Sequence, residues 1–270
     1  MLQIEYQCLT DFGSYLDRIG YHGDIEPTLN TLNALIYQHQ CTVPFENLDS
    51  CDYHRPICLD IDHLFRKIVL NRRGGYCFEL NGLFMALLRS LGFDAWSVFC
   101  RTAAHGTALR PINHRGIIVR INGMLYFCDV GFGGPMPPFA VRLSNEKQTA
   151  HGETYWTCPA KDEGWFLLSR LSGRGLGDDG EKQGSEYPVA LFSLLPATEA
   201  DFEPFSFFAS TNQNSSFVRE RKASLRTADG YINLRGDVLT ICKNGRRTEC
   251  RLKSEKIATV LKSQFGLSDI

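Results

Sequence analysis

The stretch RRGGYCFELNGLF, residues 72–84, has the residue types and spacing of a reactive site. Two glycines precede Cys77, and Leu80, Leu83, Phe84, Leu87, Leu88 and Leu91 follow at helical spacing up to Gly92. This spacing predicts a buried helix with Cys77 in its first turn. There, unpaired backbone N–H groups and the positive end of the helix dipole favour thiolate over thiol, and the thiolate is the nucleophile. A free cysteine can equally be a small core hydrophobe. Gly74 and Gly75 argue for the reactive cysteine, because glycines let the backbone turn sharply and keep side chains away from the sulfur.

A nucleophile of this kind needs a base, and the base needs a group to orient it. Residues 113–134, NHRGIIVRI-NG-MLYFCDVGFGG, supply both on one hairpin, since Asn122-Gly123 between two β-rich runs is a strong two-residue turn. With Ile121 facing Met124, counting back along both strands sets Asp129 opposite Gly116. His114 lies two residues from Gly116 on the same face, a diagonal neighbour of Asp129 at about 7–8 Å between backbones and within side-chain reach. Gly116 leaves room between them. A carboxylate placed there fixes the imidazole tautomer and stabilises the imidazolium. His22, His39, His54, His63, His105 and His151 have no carboxylate placed by a comparable argument.

Several elements must hold these residues. Asp11 can cap a helix through Ile19, and Pro27-Thr28 opens a second with Leu29, Leu32, Leu35 and Ile36 on one face, broken at Pro44. PFENLD, residues 44–49, sets Glu46 among apolar residues, so it is either at the surface or paired with a cation. Asp60 caps a helix whose core face is Ile61, Leu64, Phe65, Ile68 and Val69, running into Arg72-Arg73. From Asp94 the period becomes that of strands, and Trp156 and Trp165 suggest a closed or highly curved sheet through Leu171. Residues 173–186 read as a mobile loop; its GLGDDG matches GxGxxG, but two aspartates would repel phosphate and no apolar helix follows. Beyond it the pattern predicts a helix over 200–209, strands near 217–226, 231–235 and 238–242, a turn at Asn244-Gly245, and a last helix capped by Ser254 and ending before Gly266.

A chain of 270 residues, 43% hydrophobic and 22% charged, is an ordinary globular composition for one large domain or two to three small ones. Twenty-nine basic against thirty acidic residues give a net charge of -1, which offers no field for DNA or an acidic membrane. The N-terminus has acidic residues and no apolar leader core, and no run approaches the ~18 apolar residues of a spanning helix, so the expected location is cytoplasmic. Ten cysteines without a repeating spacing suggest reduced thiols. Cys51, His54 and Cys58 in CDYHRPIC lack the further ligands of a structural zinc site, so they read as loop residues and no metal is expected.

The order Cys77, His114, Asp129 is shared by several acyl-transfer enzymes. The local words RIGYHG (18–23), PFENL (44–48), RRGGYCFELN (72–81), NHRGIIVRI (113–121) and DVGFGG (129–134) are more specific: over nearly the whole chain, and most closely from 15 to 134, the sequence resembles the arylamine N-acetyltransferase family. The resemblance implies an α+β fold with an N-terminal helical bundle (1–92), a central β-barrel (93–190) and a C-terminal α/β lid (191–270), carrying a Cys-His-Asp triad of cysteine-protease type. It implies that Phe132 lines the acceptor pocket, that Gly131, Gly133 and Gly134 let backbone approach the acyl donor, and that Glu46 and Arg73 form a buried ion pair supporting the catalytic helix. It implies acetyl-CoA as co-substrate, without a metal, and a small arylamine or hydrazine as acceptor, acetylated by a ping-pong route through acetyl-Cys77. Alternatives are an amide synthase closing a macrolactam from a carrier-bound polyketide, a cysteine peptidase or transglutaminase-like enzyme, and a binding protein with a relict site. The number of subunits is open.

Overall fold

A computed structural model describes residues 4–103, 110–134, 136–172 and 184–267. Most of the expected loop at 173–186 lies outside these residues. The chain begins with helices α1 (Phe12–Ile19) and α2 (Leu29–Thr42). Asp11 accepts from the Ser14 N–H and Thr28 from the Thr31 N–H, so both expected caps form. A two-residue strand β1 (Phe45–Glu46) leads to the short α3 (Leu48–Cys51). Helix α4 (Ile61–Leu64), capped by Asp60, widens into a π-helical turn over Phe65–Leu70 instead of continuing as one regular helix. Arg18, in the word RIGYHG, donates to the carbonyls of Thr42, Ile68, Arg72 and Arg73, and so fastens the approach to α5 (Cys77–Ser90).

Strands β2 (Asp94–Thr102), β3 (His114–Ile121), β4 (Met124–Cys128), β5 (Val141–Arg142), β6 (Gln148–Ala150), β7 (Glu153–Pro159), β8 (Trp165–Leu171) and β9 (Glu186–Ala197) form an antiparallel sheet in the order β5-β4-β3-β2-β9-β8-β7-β6. It is nearly closed into a barrel. Across the gap, Arg142 N–H donates to Gln148 Oε1 at 2.9 Å and Gln148 Nε2 returns a bond to Arg142 C=O at 2.9 Å. β3 is buried on both faces: Ile118 points into the barrel with Val98, Phe127 and Phe192, while Ile117 and Val119 pack on the helices. That double burial explains the continuous apolar run IIV in place of alternation.

After β9 come α6 (Glu199–Thr211), α7 (Ser216–Arg219), β10 (Lys222–Thr227), β11 (Gly230–Arg235), β12 (Val238–Lys243), β13 (Arg246–Arg251) and α8 (Ser254–Phe265). A second antiparallel sheet runs β1-β10-β11-β12-β13, so the N-terminal residues Phe45–Glu46 share it with the last third of the chain. Its core is built from Leu48, Ala223, Leu234, Leu239, Leu261 and Phe265.

Three sequence expectations shift. Residues 216–219 are helical because Ser215 caps them through its bond from the Phe217 N–H, and the strand starts only at Lys222. Ser254 is the first helical residue of α8, after an extended Lys253, and is not its cap. The boundary drawn at 190 falls inside β9, a single strand whose inner residues complete the barrel. Among the described residues, no helix is long and apolar enough to cross a membrane.

Leu83 in α5 is 0% exposed, whereas Leu195 in β9 is 72% exposed. Leu83→Ala should therefore cost about 2–5 kcal/mol and Leu195→Ala less than about 0.5 kcal/mol, compared by urea unfolding midpoints.

Candidate active site

Cys77 is the first residue of α5 and is buried. The helix starts inside the protein, and a chain of charges supports it. The Glu79 carboxylate accepts from the Tyr76 N–H at 3.0 Å and pairs with Lys67 at 2.6 Å. Lys67 also pairs with Asp49 at 2.6 Å, Asp49 with Arg73 at 3.3 Å, and Arg73 with Glu46 at 2.8 Å. Glu46 closes the chain by accepting from the Leu48 N–H at 2.8 Å. The fully buried Glu46 thus has its cation, and Glu46–Arg73 is one end of a longer network. Burial pushes the Glu79 carboxyl up, whereas for Lys67 burial is outweighed by Glu79, Glu46 and Asp49, which raise it.

Gly74 and Gly75 have an explanation other than a sharp left-handed turn, since neither has positive φ. A Cβ on Gly74 would stand 2.0 Å from the Pro44 carbonyl oxygen, and one on Gly75 would stand 2.8 Å from Glu79 Oε2. Both glycines serve close packing, against β1 and against the helix start.

The hairpin register is as counted: Ile121 faces Met124 and Ile117 faces Cys128, with Asp129 one residue past the ladder. His114 Nε2 meets Asp129 Oδ2 at 2.5 Å, and the Cys77 sulfur lies close enough to the ring to act on its charge. The three residues named from the sequence are therefore brought together. Cys77 Sγ lies 3.9 Å from the Asn113 carbonyl oxygen. Burial alone would lower the His114 pKa, but the Asp129 carboxylate and the Cys77 sulfur outweigh it and lift it to about 10. An imidazolium facing the sulfur is the partner a nucleophilic thiolate needs. The room beside Gly116 is not empty: a Cβ there would come within 2.6 Å of the Phe127 ring and 2.8 Å of Cys100 Sγ.

Asn81 is the functional residue that sequence reasoning missed. One turn after Cys77, its Nδ2 donates to Asp129 Oδ1 at 2.9 Å and to the Arg115 carbonyl at 2.6 Å, while its Oδ1 accepts from the Val130 N–H at 2.9 Å. Gly131 N–H adds a second donor to Asp129 Oδ1 at 2.8 Å. The signal was present as a single asparagine in a face of leucines, four residues after the cysteine.

The GFGG residues divide. The Phe132 ring meets the His114 ring edge-on, with centroids 5.0 Å apart. Gly131 packs on α5, where a Cβ would stand 3.0 Å from Cys77 Cα, so its bareness is accounted for by the helix. Gly133, with φ +68°, and Gly134 line a cavity of about 300 Å³ together with Phe132. Phe45 and Phe217 give this cavity its other apolar walls, and Arg110, Lys222 and Arg235 bring positive charge to it.

A protein-family model described as N-acetyltransferase matches residues 28–268. The arylamine N-acetyltransferase of Mycolicibacterium smegmatis is 33% identical over 269 residues, covering 95% of this chain and 92% of that protein. The chain belongs to the arylamine N-acetyltransferase family. Among solved structures, the arylamine N-acetyltransferase of M. tuberculosis superposes with a TM-score of 0.87 at 32% identity, over 96% of this chain and 94% of that one. That of Mycobacterium marinum in complex with CoA gives a TM-score of 0.85 at 30% identity, over 95% and 92% of the two chains. This membership makes the chain an acyltransferase, and the family match extends through the C-terminal third, where the words in the sequence fit less closely.

Two outcomes follow for this family member. A folded-state His114 value of about 10, above the ordinary 6.5, means that the His114–Asp129 contact stabilises fully below about pH 6.5 and is lost as pH climbs through about 10. Imidazole NMR should therefore show His114 still protonated at about pH 8, with its proton lost near pH 10, where an ordinary histidine has long been neutral. Asn81→Ala strips one charge-assisted donor from Asp129 and should slow acyl transfer about 10–100-fold, measured by single-turnover kinetics.

Proposed function

We propose that this chain transfers an acetyl group from acetyl-CoA to an arylamine, arylhydrazine or hydrazine, by a ping-pong mechanism through acetyl-Cys77. The observation that carries the reading is His114 bonded to Asp129, with the Cys77 sulfur near enough to help raise its pKa. Acetyl-CoA supplies the acyl group as a thioester. The residues present suit it: Arg110, Lys222 and Arg235 can meet the phosphates of a polyanion, and the Phe45 ring occupies the space a side chain on Gly133 would need. Lys222 Nζ already sits 2.8 Å from Ser216 Oγ and 4.6 Å over the Phe217 ring, and burial pushes its pKa down. A phosphate would restore the favourable setting of that charge. The segment after β9 acts in this reading as a lid, with β10 and β11 supplying Lys222, Ser224, Asn233 and Arg235 to the cavity wall.

Cys77 Sγ attacks the thioester carbonyl, the C–S bond to coenzyme A breaks, and the leaving thiolate takes a proton from the His114 imidazolium. The acetyl group is now a thioester of Cys77, and exchanging one thioester for another costs little. His114, left neutral, then accepts a proton from the amine as its nitrogen attacks that carbonyl, and Cys77 leaves as thiolate. Asp129 holds the ring throughout, with Asn81 and Gly131 holding Asp129. Arylamines are neutral near pH 7, whereas an alkylamine of lysine type, with pKa about 10.4, is mostly protonated, and selectivity for arylamines follows in part from that difference. Phe132 edge-on to His114 offers a flat wall where an aromatic acceptor would lie.

Intact-mass spectrometry of the protein mixed with acetyl-CoA alone should give one acetyl adduct, absent in Cys77→Ala, which disappears as an arylamine is converted. A folded protein that takes no acetyl group would overturn the proposal.

A further inference from the structure

The segment 129–137, which begins at Asp129 and carries Phe132, Gly133 and Gly134, is grasped at both ends by one side chain. Gln40, buried on α2, donates through Nε2 to the Asp129 carbonyl at 2.9 Å and to the Pro137 carbonyl at 2.8 Å. Its Oε1 accepts from Arg226 Nε at 2.8 Å, and Arg226 Nη2 donates to the Met136 carbonyl at 2.8 Å. Arg226 stands on β10 and pairs with Glu153 at the start of β7. The helical part, the barrel and the second sheet therefore meet on a single amide. The Asp129 carboxylate has separate anchors in Asn81 and Gly131.

We infer that Gln40 and Arg226 are positioning residues for acceptor binding: a clasp on the carbonyls of Asp129, Met136 and Pro137 that sets the path of 129–134, and hence where Phe132 stands at the cavity, without setting the reactivity of Cys77. A segment with glycines at 131, 133 and 134 has high intrinsic backbone freedom, so its shape must be imposed from outside. Buried carbonyls without donors are costly, so the path that satisfies Asp129, Met136 and Pro137 together is the one held. Residue chemistry also selects glutamine at position 40. An amide presents donors toward two carbonyls and an acceptor toward a guanidinium at once; a carboxylate would set oxygen against oxygen, and methionine would offer neither.

The acceptor readout rests on the acetyltransferase reading, so the test includes one arm that does not. Gln40→Met, Gln40→Glu and Arg226→Lys are compared with the wild type in three measurements. These are hydrogen exchange of the peptide carrying Val130 and Gly131, alkylation of Cys77 by iodoacetamide without acceptor, and KM for p-anisidine at saturating acetyl-CoA. Faster exchange, KM raised about tenfold and alkylation within about twofold of wild type are expected in all three variants. Unchanged exchange in both Gln40 variants overturns the clasp, as does a Gln40→Glu enzyme with wild-type KM, or alkylation falling in step with the rise in KM. If the wild type takes no acetyl group from acetyl-CoA, the acetyltransferase reading fails, while the exchange arm still decides the clasp. If Gln40→Met does not fold, Arg226→Lys, which keeps the charge toward Glu153, decides on the same readouts.

Discussion

A helix that begins inside a protein has N–H groups and a positive dipole end with no water to receive them, and α5 begins in that way at Cys77. Much of the surrounding structure answers this constraint. Glu79 takes the Tyr76 N–H, and its own charge needs Lys67; Lys67 shares Asp49 with Arg73, and Arg73 meets Glu46 at the edge of the second sheet. Glu46, Asp49 and Glu79 outnumber Lys67 and Arg73, and the excess negative charge sits where the helix dipole is positive. Such a buried network adds little net stability, because desolvation consumes most of the attraction. Its value here is positional: removing Lys67 would strand the Glu79 carboxylate and removing Arg73 that of Glu46, so the helix start has one place to be.

The hairpin meets this helix through polar residues on opposite faces of one strand. His114 points to Cys77 and Asp129, while its neighbour Arg115, fully buried, turns the other way. There Arg115 holds Ser97 Oγ at 2.7 Å and both oxygens of Glu199 at 2.5 and 2.6 Å, with its guanidinium 4.7 Å over the Phe202 ring. Glu199 is the first residue of α6, so the strand that presents the base also fastens the element that follows the barrel. Tyr76, at the entry to α5, reaches the same helix through the Ser206 carbonyl at 3.2 Å. His114, the helix that carries Cys77 and α6 are thereby referenced to one another by bonds with little freedom to drift.

Local patterns were legible where a short-range rule decides the outcome. Periodicity marked α2 and α5, Asp11 and Thr28 marked helix starts, and the Asn122-Gly123 turn set a register in which His114 and Asp129 had to be neighbours. Reading failed where the same local pattern allows more than one outcome, or where another part of the chain approaches closely. The apolar pattern after Asp60 does not reveal the π-helical turn at Phe65–Leu70, and a β-rich run at 217–219 is helical under its Ser215 cap. The glycines at 74, 75 and 116 were read as freedom to turn or as open space, when each is a place where another part of the chain comes too close for a Cβ.

The sequence alone picked out Cys77, His114 and Asp129 and pointed to the family, because residue types, their order and turn chemistry are local. Tertiary structure alone decided which groups hold them. Asn81 on Asp129, Lys67 and Asp49 between Glu46 and Glu79, and Gln40 with Arg226 on the 129–137 segment are pairings between residues far apart in the chain. Nothing in a lone glutamine or asparagine specifies its partner. Partners are chosen by which buried donors and acceptors the packed helices and sheets bring within about 3 Å, and that distance exists only after the chain has folded.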